Sequence, residues 1–253
     1  MSLVVAIANQ KGGVAKTTTA VNLGACLAEL GKKVLIVDSD PQGNASSGLG
    51  TDRENLGLCL YSVIIDNEPI EEIIITTGTE GLFLAPASIQ LAGAEIELVS
   101  AIAREHKLRK AIESIRNDYD YIIIDCPPSL GLLTVNALTA ADRVLVPIQC
   151  EYYALEGLSL LMNTIALVQK HLNRELDVLG VLLTMFDART NLAIQVVDEV
   201  KAYYPGKVFR CIVPRNVRLS EAPSHGLPII SYDPKSKGAE VYRELAKEVI
   251  ELE

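Results

Sequence analysis

A glycine-centred loop between a short apolar run and a helical pattern constrains this chain more than any other feature. Residues 3–8 predict a buried strand, and from Thr17 onward the apolar residues recur at helical spacing. The loop between them, residues 9–16, reads NQKGGVAK. Such a loop directs unpaired backbone N–H groups at the start of a helix toward an anion. The sequence therefore predicts a phosphate-binding loop near the N-terminus of an α/β domain.

Two residues at the start of the predicted helix carry the expected phosphate chemistry. Lys16 supplies a cation for the β/γ-phosphates of a nucleotide, and the Thr17 hydroxyl can join the shell of a bridging Mg²⁺. The ordinary pattern G-x-x-x-x-G-K-[ST] is not met, because its glycines fall on Gln10 and Ala15. The alternative is a glycine-rich turn with solvated lysines, which the flanking strand and helix disfavour.

A second lysine brings the loop into line with a known variant. The motif K-G-G-x-x-K-[ST], with Lys11 in front, resembles the deviant Walker A box of the ParA/MinD ATPases. The resemblance implies that Lys11 and Lys16 are both catalytic, with Lys11 reaching the partner's phosphates across a nucleotide-sandwich dimer. It also implies that the cofactors are ATP and Mg²⁺. The implied loop contacts to ATP are Lys11, Gly12, Gly13, Val14, Ala15, Lys16, Thr17 and Thr18.

Ala15 departs from the family, which usually has glycine at this position. If Ala15 adopts a positive φ, its Cβ costs on the order of 1–2 kcal/mol. The backbone N–H that faces phosphate is retained in either case. We therefore expect Ala15 to weaken nucleotide binding and hydrolysis without abolishing them.

Two further predicted strands, residues 32–38 and 119–125, each end in an acid. Because parallel strands share a carboxyl edge, we expect Asp38, Asp40 and Asp125 to lie beside the loop. By resemblance, Asp40 is catalytic and orients or activates the attacking water. Asp125 holds a Mg²⁺-bound water, and Asp38 supports the metal shell together with Thr17. The alternative is that these acids serve only as caps or turn residues.

The remaining pattern alternates strands and helices. Further strands are predicted at residues 81–86, 143–149, 179–184, 208–213 and 228–231. Helices are predicted within residues 89–115 and at 153–170, 194–204 and 238–252, with a weakly periodic excursion at 45–80. The pattern predicts one domain, residues 1–253, with a twisted, mostly parallel sheet of about eight strands covered by helices on both faces. The resemblance identifies this as a P-loop NTPase of the ParA/MinD type.

Residues 214–216, with the sequence Pro-Arg-Asn, follow a predicted strand. By resemblance, Pro214 and Asn216 contact adenine, and an amide can pair with the donor and acceptor of the adenine edge. The alternative is an ordinary surface turn.

Arg189 and Arg218 match residues that line a DNA-binding face in Soj-like ParA proteins. Such binding would depend on phosphates and ignore sequence. The alternative is a solvated basic face.

Composition limits the classes of protein that this chain can be. With 253 residues, 49% of them hydrophobic, and a net charge of −9, the sequence is that of a globular protein whose surface is not basic overall. Residues 205–218 nevertheless contain four basic residues and no acid. No apolar run approaches the roughly 18 residues of a membrane span, and no leader pattern is present. We expect a cytoplasmic protein whose five cysteines are small buried hydrophobes.

Further motifs place the resemblance closest to the chromosomal Soj/ParA branch. They are DxDPQGN at 38–44, EYYALEG at 151–157 and PRNVRLSEAPSHG at 214–226. Tyr152 and Tyr153 in the second motif match core or dimer-face positions. The resemblance implies an ATP-dependent homodimer that binds double-stranded DNA non-specifically, associates with the nucleoid and is stimulated by a ParB-type centromere-binding protein.

Two other functional classes remain open. A MinD-like membrane-associated ATPase needs a basic amphipathic end helix, but residues 240–253 are rich in glutamate, so we expect no membrane partner. An ATP-dependent metabolic enzyme on the same fold needs a substrate pocket that the sequence does not specify.

Overall fold

The computed structural model describes residues 2–151 and 154–252. Within these ranges one sheet has the strand order β3-β4-β2-β5-β1-β6-β7, and every neighbouring pair is parallel except β3 and β4. Tyr152 and Tyr153 lie outside the described residues. The strands are β1 Leu3–Ile7, β2 Val34–Asp38, β3 Ile75–Thr76, β4 Leu82–Ala85, β5 Tyr121–Asp125, β6 Arg143–Gln149 and β7 Asp177–Thr184.

Helices cover both faces of the sheet, as predicted. Alternate residues of β1 enter opposite cores, with Val4 and Ala6 in one apolar cluster and Val5 and Ile7 in the other. This alternation is possible because both faces are buried. The helices are α1 Lys16–Glu29, α2 Asn44–Gly48, α3 Leu91–Glu97, α4 Lys107–Ile115, α5 Leu132–Ala140, α6 Ala154–His171, α7 Asn191–Tyr203, α8 Val217–Glu221, α9 Ile229–Tyr232 and α10 Lys237–Glu251.

Residues 208–213, which were predicted to form a strand, run beside β7 and hydrogen-bond to it, but they do not form a regular strand. The Phe209 N–H donates to the Val181 carbonyl at 3.0 Å, and the Val213 N–H donates to the Leu183 carbonyl at 2.9 Å. Between them, the Arg210 N–H donates to the buried Glu248 carboxylate of α10 at 2.9 Å. The backbone hydrogen bonds of this segment are thus divided between β7 and a side chain, and the sheet has seven strands rather than about eight.

The strand predicted at residues 228–231 is wrong, because this segment forms the short helix α9. Pro228 is the N-cap residue with an extended backbone, and its carbonyl accepts from the N–H groups of Ser231 and Tyr232 at 3.0 Å. The Ile229 N–H donates to the Asn22 side chain of α1 at 2.7 Å. Local turn geometry and a contact with a distant helix therefore override the apolar, strand-like pattern.

Other sequence predictions are resolved in the same structure. All five cysteines are free and buried, as expected. The excursion at 45–80 contains the short helix α2, 3-10 and π-helical turns, and the antiparallel strand β3, which was not predicted. None of the helices in the described ranges has the length and apolar character needed to cross a membrane.

The strand order sets the position of the phosphate-binding loop. β5 lies between β2 and β1, and the register pairs Asp125 with Asp38 on one side and with Ile7 on the other. The loop leaves β1 at this edge and enters α1 at Lys16. The acids predicted from two separate strand ends therefore lie next to one another and next to the loop.

Ala15, the N-cap residue of α1, has φ 69° and ψ 32°, which is the left-handed region. Ala15 therefore has the positive φ at which its Cβ is expected to cost free energy. For an L-residue this conformation costs about 1–2 kcal/mol. Glycine at this position would remove the strain, although it would also increase the freedom of the unfolded chain.

We predict that Ala15→Gly raises the free energy of unfolding by about 0.5–1 kcal/mol, the strain relieved minus the added unfolded-state entropy. Urea unfolding monitored by circular dichroism measures the difference. A matched control is Ala166→Gly at an exposed position in the interior of α6, which should cost about 1 kcal/mol. Equal destabilisation by both substitutions would show that Ala15 carries no strain.

Candidate functional site

A cavity of about 450 Å³ opens at the carboxyl edge of the sheet, over the loop that follows β1. A second cavity of about 500 Å³ adjoins it and shares four lining residues with it. Together they offer one continuous cleft in which the loop forms one end and the segment after residue 213 forms the other. The shared residues are Ala15, Thr18, Met185 and Pro223.

Most of the predicted loop residues line the first cavity. They are Gly12, Gly13, Ala15, Lys16, Thr17 and Thr18. Val14 is buried instead, and its carbonyl accepts from the buried Thr184 hydroxyl at 3.1 Å. The loop is therefore held from below by the end of β7 while its upper surface faces the cavity.

Lys16 is buried in the wall of this cavity, with 6% of its surface exposed. Its Nζ donates to the Lys11 carbonyl at 3.1 Å, which folds the side chain back over the loop. Burial lowers the pKa of the Lys16 ammonium, and the nearby Asp125 and Asp40 charges oppose that shift. The arrangement places a desolvated cation where an anion entering the cleft would contact it.

Asp38 and Asp125 form a buried carboxylate pair. Asp38 accepts from the Ser46 N–H at 2.8 Å and from the Ser46 hydroxyl at 2.7 Å, so it anchors the start of α2. Burial raises the pKa of Asp38 to about 6, and the charge of Asp40 adds to the shift. Burial and the charge of Asp38 raise the pKa of Asp125 well above its ordinary value, while Thr17 and Lys16 oppose this.

Asp125 differs from Asp38 in having unused hydrogen-bonding capacity. Both of its carboxylate oxygens are buried, and neither makes a hydrogen bond of normal geometry with a described residue. An orphaned buried carboxylate near a threonine hydroxyl fits a divalent cation, which would neutralise it. Mg²⁺ is commonly held by one or two protein groups together with phosphates and water. Thr17 and Asp125 thus fit the metal, whereas Asp38 already accepts three hydrogen bonds, two from Ser46 and one from the Asp40 N–H.

Asp40 lies in the turn after β2 and lines the first cavity. Its Oδ1 accepts from the Gln42 N–H at 2.9 Å, and the Gly43 N–H closes the turn on the Asp40 carbonyl at 2.8 Å. Only 6% of its surface is exposed, so the carboxylate faces the cleft rather than bulk water. A carboxylate so placed can accept a proton from, or orient, a water in the cleft.

Lys11 points away from the cleft. Its Nζ lies 2.8 Å from Glu151 Oε2, and 41% of its side chain is exposed. Its backbone N–H donates to the Asn9 side chain at 3.0 Å, while the Asn9 amide donates to the Pro147 carbonyl at 2.7 Å. The backbone of Lys11 is therefore fixed while its ammonium remains accessible at the surface. The two lysines of the motif face different surroundings.

Pro214 and Asn216, the residues predicted to contact adenine, line the second cavity. The Asn216 Oδ1, however, already accepts from the Arg218 N–H at 2.8 Å and caps the short helix α8. The cap uses one lone pair of Oδ1, so the second lone pair and the amide nitrogen remain available to the adenine edge.

Arg189 and Arg218 are both exposed and both paired with acids. The Arg189 guanidinium lies 2.6 Å from Asp187, and 87% of its side chain is exposed. Arg218 lies 2.8 Å from Glu221 and 3.5 Å from Asp233. The basic stretch at 205–218 is likewise countered by acids, as in the pair Lys207–Asp177. In this conformation the surface is accessible but not strongly positive.

Several residues that shape the site carried no sequence signal of their own. Thr184 and Ser46 act through contacts with residues distant in the chain, at Val14 and Ala87 respectively. Met185 lines both cavities at φ 51°, a strained conformation of the kind that clusters at functional sites. A hydroxyl at the end of a predicted strand was the only hint that Thr184 faces the loop.

Comparison with known proteins gives a consistent family. A family model described as AAA domain matches residues 2–178. The sporulation initiation inhibitor protein Soj of Bacillus subtilis is 65% identical over 98% of both chains. The chromosome-partitioning ATPase Soj of Treponema pallidum is 54% identical, covering 96% of this chain and 94% of that protein.

A solved structure has a similar fold. Cobyrinic acid a,c-diamide synthase from Mycobacterium smegmatis, determined with a bound ATP analog and magnesium, superposes with a TM-score of 0.86 and 42% identity. The match covers 98% of this chain and 93% of that one. Fold, motifs and relatives agree, and the chain belongs to the AAA domain family and, within it, to the ParA/Soj family of chromosome-partitioning ATPases.

Proposed function

We propose that this ATPase is a dimerising switch: Mg²⁺-ATP joins two copies, the dimer binds DNA without sequence preference, and hydrolysis releases it. The proposal rests on one observation: the side chains of Lys16 and Lys11 point in different directions from the same loop. Lys16 is buried in the cleft, whereas the Lys11 ammonium is exposed outside it. One loop that presents cations in two directions can serve two phosphate groups, its own and that of a second copy.

In this proposal, the residues around the cleft have the following roles within a single copy. The loop N–H groups of residues 12–18 and Lys16 would hold the phosphates of ATP, and Thr17 with Asp125 would hold Mg²⁺. Bound Mg²⁺ supplies neutralisation of the phosphate charge. Asp40 would orient the attacking water, and Asp38 would fix the turn that carries Asp40. Pro214 and the free amide nitrogen of Asn216 would face the adenine.

The DNA-binding part of the proposal rests on exposed arginines and on symmetry. A chain of net charge −9 gains little from a polyanion as a monomer. A two-fold dimer would present Arg189 and Arg218 twice on one surface, doubling the cations available to DNA phosphates. Phosphates would then displace the acidic partners of these side chains. The similarity to Soj proteins supports chromosome partitioning, nucleoid association and stimulation by a ParB-type partner.

We predict that Asp125→Asn raises the free energy of unfolding of the nucleotide-free protein at pH 7, because burial and the charge of Asp38 raise the pKa of Asp125 and the neutral amide removes the cost of its buried charge. A raised carboxyl pKa lowers stability as pH rises above the ordinary value, so the gain should vanish near pH 4 and grow toward neutrality. Urea unfolding across this pH range measures it.

The same variant should lose the rise in melting temperature that Mg²⁺-ATP gives the wild-type protein, because its metal ligand is neutral. Asp118→Asn, which changes an exposed acid on the loop before β5, is the matched control and should retain that rise. An Asp125→Asn protein that keeps the full Mg²⁺-ATP effect would remove Asp125 from the metal site.

We predict that tight DNA binding requires ATP and that Arg189→Glu weakens it equally for all duplex sequences. The slope of log affinity against log salt should flatten by about 0.9 for each phosphate that the variant no longer neutralises. Fluorescence anisotropy with two unrelated duplexes measures both quantities. Arg109→Glu, the same charge change on α4, is the control and should leave binding nearly unchanged.

Two outcomes would contradict the DNA assignment. One is wild-type binding that depends strongly on sequence, because phosphate contacts carry no sequence information. The other is an Arg189→Glu variant that binds DNA normally while its ATP dimer is intact. Either result would leave Arg189 as a solvated surface residue.

A further inference from the structure

Arg53, which no part of the proposed nucleotide site includes, lies against the turn that carries Asp40. Its side chain is half-buried, at the start of a short 3-10 helix after α2. One terminal nitrogen, Nη2, donates to the Pro41 carbonyl at 3.3 Å. Among the described residues, the buried Nε has no hydrogen-bond partner. Burying part of a guanidinium without a partner for every donor costs free energy, so the contact with Pro41 is a candidate for a functional role.

Gly43 provides the space for this guanidinium. The backbone there has φ 60°, and Gly43 itself is buried. A Cβ added to Gly43 would lie 2.7 Å from Arg53 Nη2 and closer still to Nε and Cζ. Only a residue without a side chain fits both the positive φ and the close approach of Arg53.

The turn between Asp40 and Gly43 is short and is held at its two ends, where the Asp40 N–H donates to Asp38 Oδ1 at 3.2 Å and the Gly43 carbonyl accepts from the Ser47 N–H at 3.0 Å. Its internal bonds run from the Gly43 N–H to the Asp40 carbonyl and from the Gln42 N–H to the Asp40 carboxylate. Gln42 is exposed. Arg53 adds a bond from outside the turn, on its side away from the cleft, because Arg53 does not line the first cavity.

We infer that Arg53 is a positioning residue for ATP hydrolysis: its guanidinium packs on Gly43, holds the Pro41 carbonyl and thereby fixes the Asp40 carboxylate toward the cleft. This inference rests on the proposed role of Asp40. A displacement of about 1 Å in a group that orients the reacting water can cost up to a hundredfold in rate. Substrate affinity depends on the loop and Lys16, which Arg53 does not touch.

The test compares Arg53→Met, Arg53→Lys and Arg109→Met in the full chain. Arg53→Met removes the donor at similar length and should lower kcat on the order of tenfold, with KM for ATP unchanged within about twofold. Arg53→Lys keeps a donor and should recover part of the rate. Arg109→Met removes an exposed arginine of α4 and should behave like the wild type. Equal kcat values for Arg53→Met and the wild type would overturn the inference.

Amide hydrogen exchange gives a readout that does not depend on hydrolysis. In Arg53→Met the amides of Gln42 and Gly43 should exchange faster, while those in the centre of α1 stay protected. Unchanged exchange rates at Gln42 and Gly43 would show that Arg53 does not hold the turn in place. Gly43→Ala should also lower kcat, because the added methyl group displaces the Arg53 guanidinium. In the double variant Gly43→Ala/Arg53→Met, the loss in log kcat should therefore be smaller than the sum of the two single losses. Full additivity would contradict the packing of Arg53 on Gly43.

These readouts separate the inference from the proposed function. If Asp40→Ala hydrolysed ATP at the wild-type rate, Asp40 would have no role in hydrolysis. Arg53→Met would then not be expected to lower kcat. The exchange measurement would still decide whether Arg53 clamps the turn.

Discussion

The parallel alignment of β2, β5 and β1 is the constraint on which the rest of the site depends. It brings Asp38 opposite Asp125 and sets both beside the loop that leaves β1. Burial raises the pKa of both carboxyls, the charge of Asp38 adds to the rise at Asp125, and no hydrogen bond of normal geometry from the described residues reaches the Asp125 oxygens. The fold thus buries carboxylates whose charge a metal ion bound with a polyphosphate would neutralise. Without those ligands, the buried charge lowers the stability of the fold.

The same edge of the sheet explains how one loop can address two nucleotides. Asn9 and Thr184 fix the loop backbone, and Lys16 folds back over it, so the cleft side is rigid and desolvated. The backbone of Lys11 is fixed, and its ammonium pairs with Glu151, whose side chain is 46% exposed. An exposed ion pair of this kind contributes about 0–1 kcal/mol. A phosphate group on a second copy can therefore compete for Lys11.

How far the sequence predicts this structure depends on whether an interaction is local. The strand–loop–helix unit, the acids at the ends of β2 and β5, and the buried cysteines follow from neighbouring residues. The helix at Ile229–Tyr232 does not, because a bond to Asn22, 207 residues away in sequence, helps to fix it. The orientation of Lys11 toward Glu151 and the cap that occupies Asn216 also depend on folded geometry.

The central claim is that Lys11 acts on the nucleotide of a second copy, and complementation tests it directly. Lys11→Ala and Asp40→Ala should each fail to hydrolyse ATP alone. A mixed dimer has one complete site, in which the Lys11→Ala copy contributes Lys16 and Asp40 and its partner contributes Lys11. Equal mixing should restore roughly a quarter of the wild-type rate, since about half of the dimers are mixed and each has one active site. A mixture as inactive as its components would contradict the account and place Lys11 in its own site.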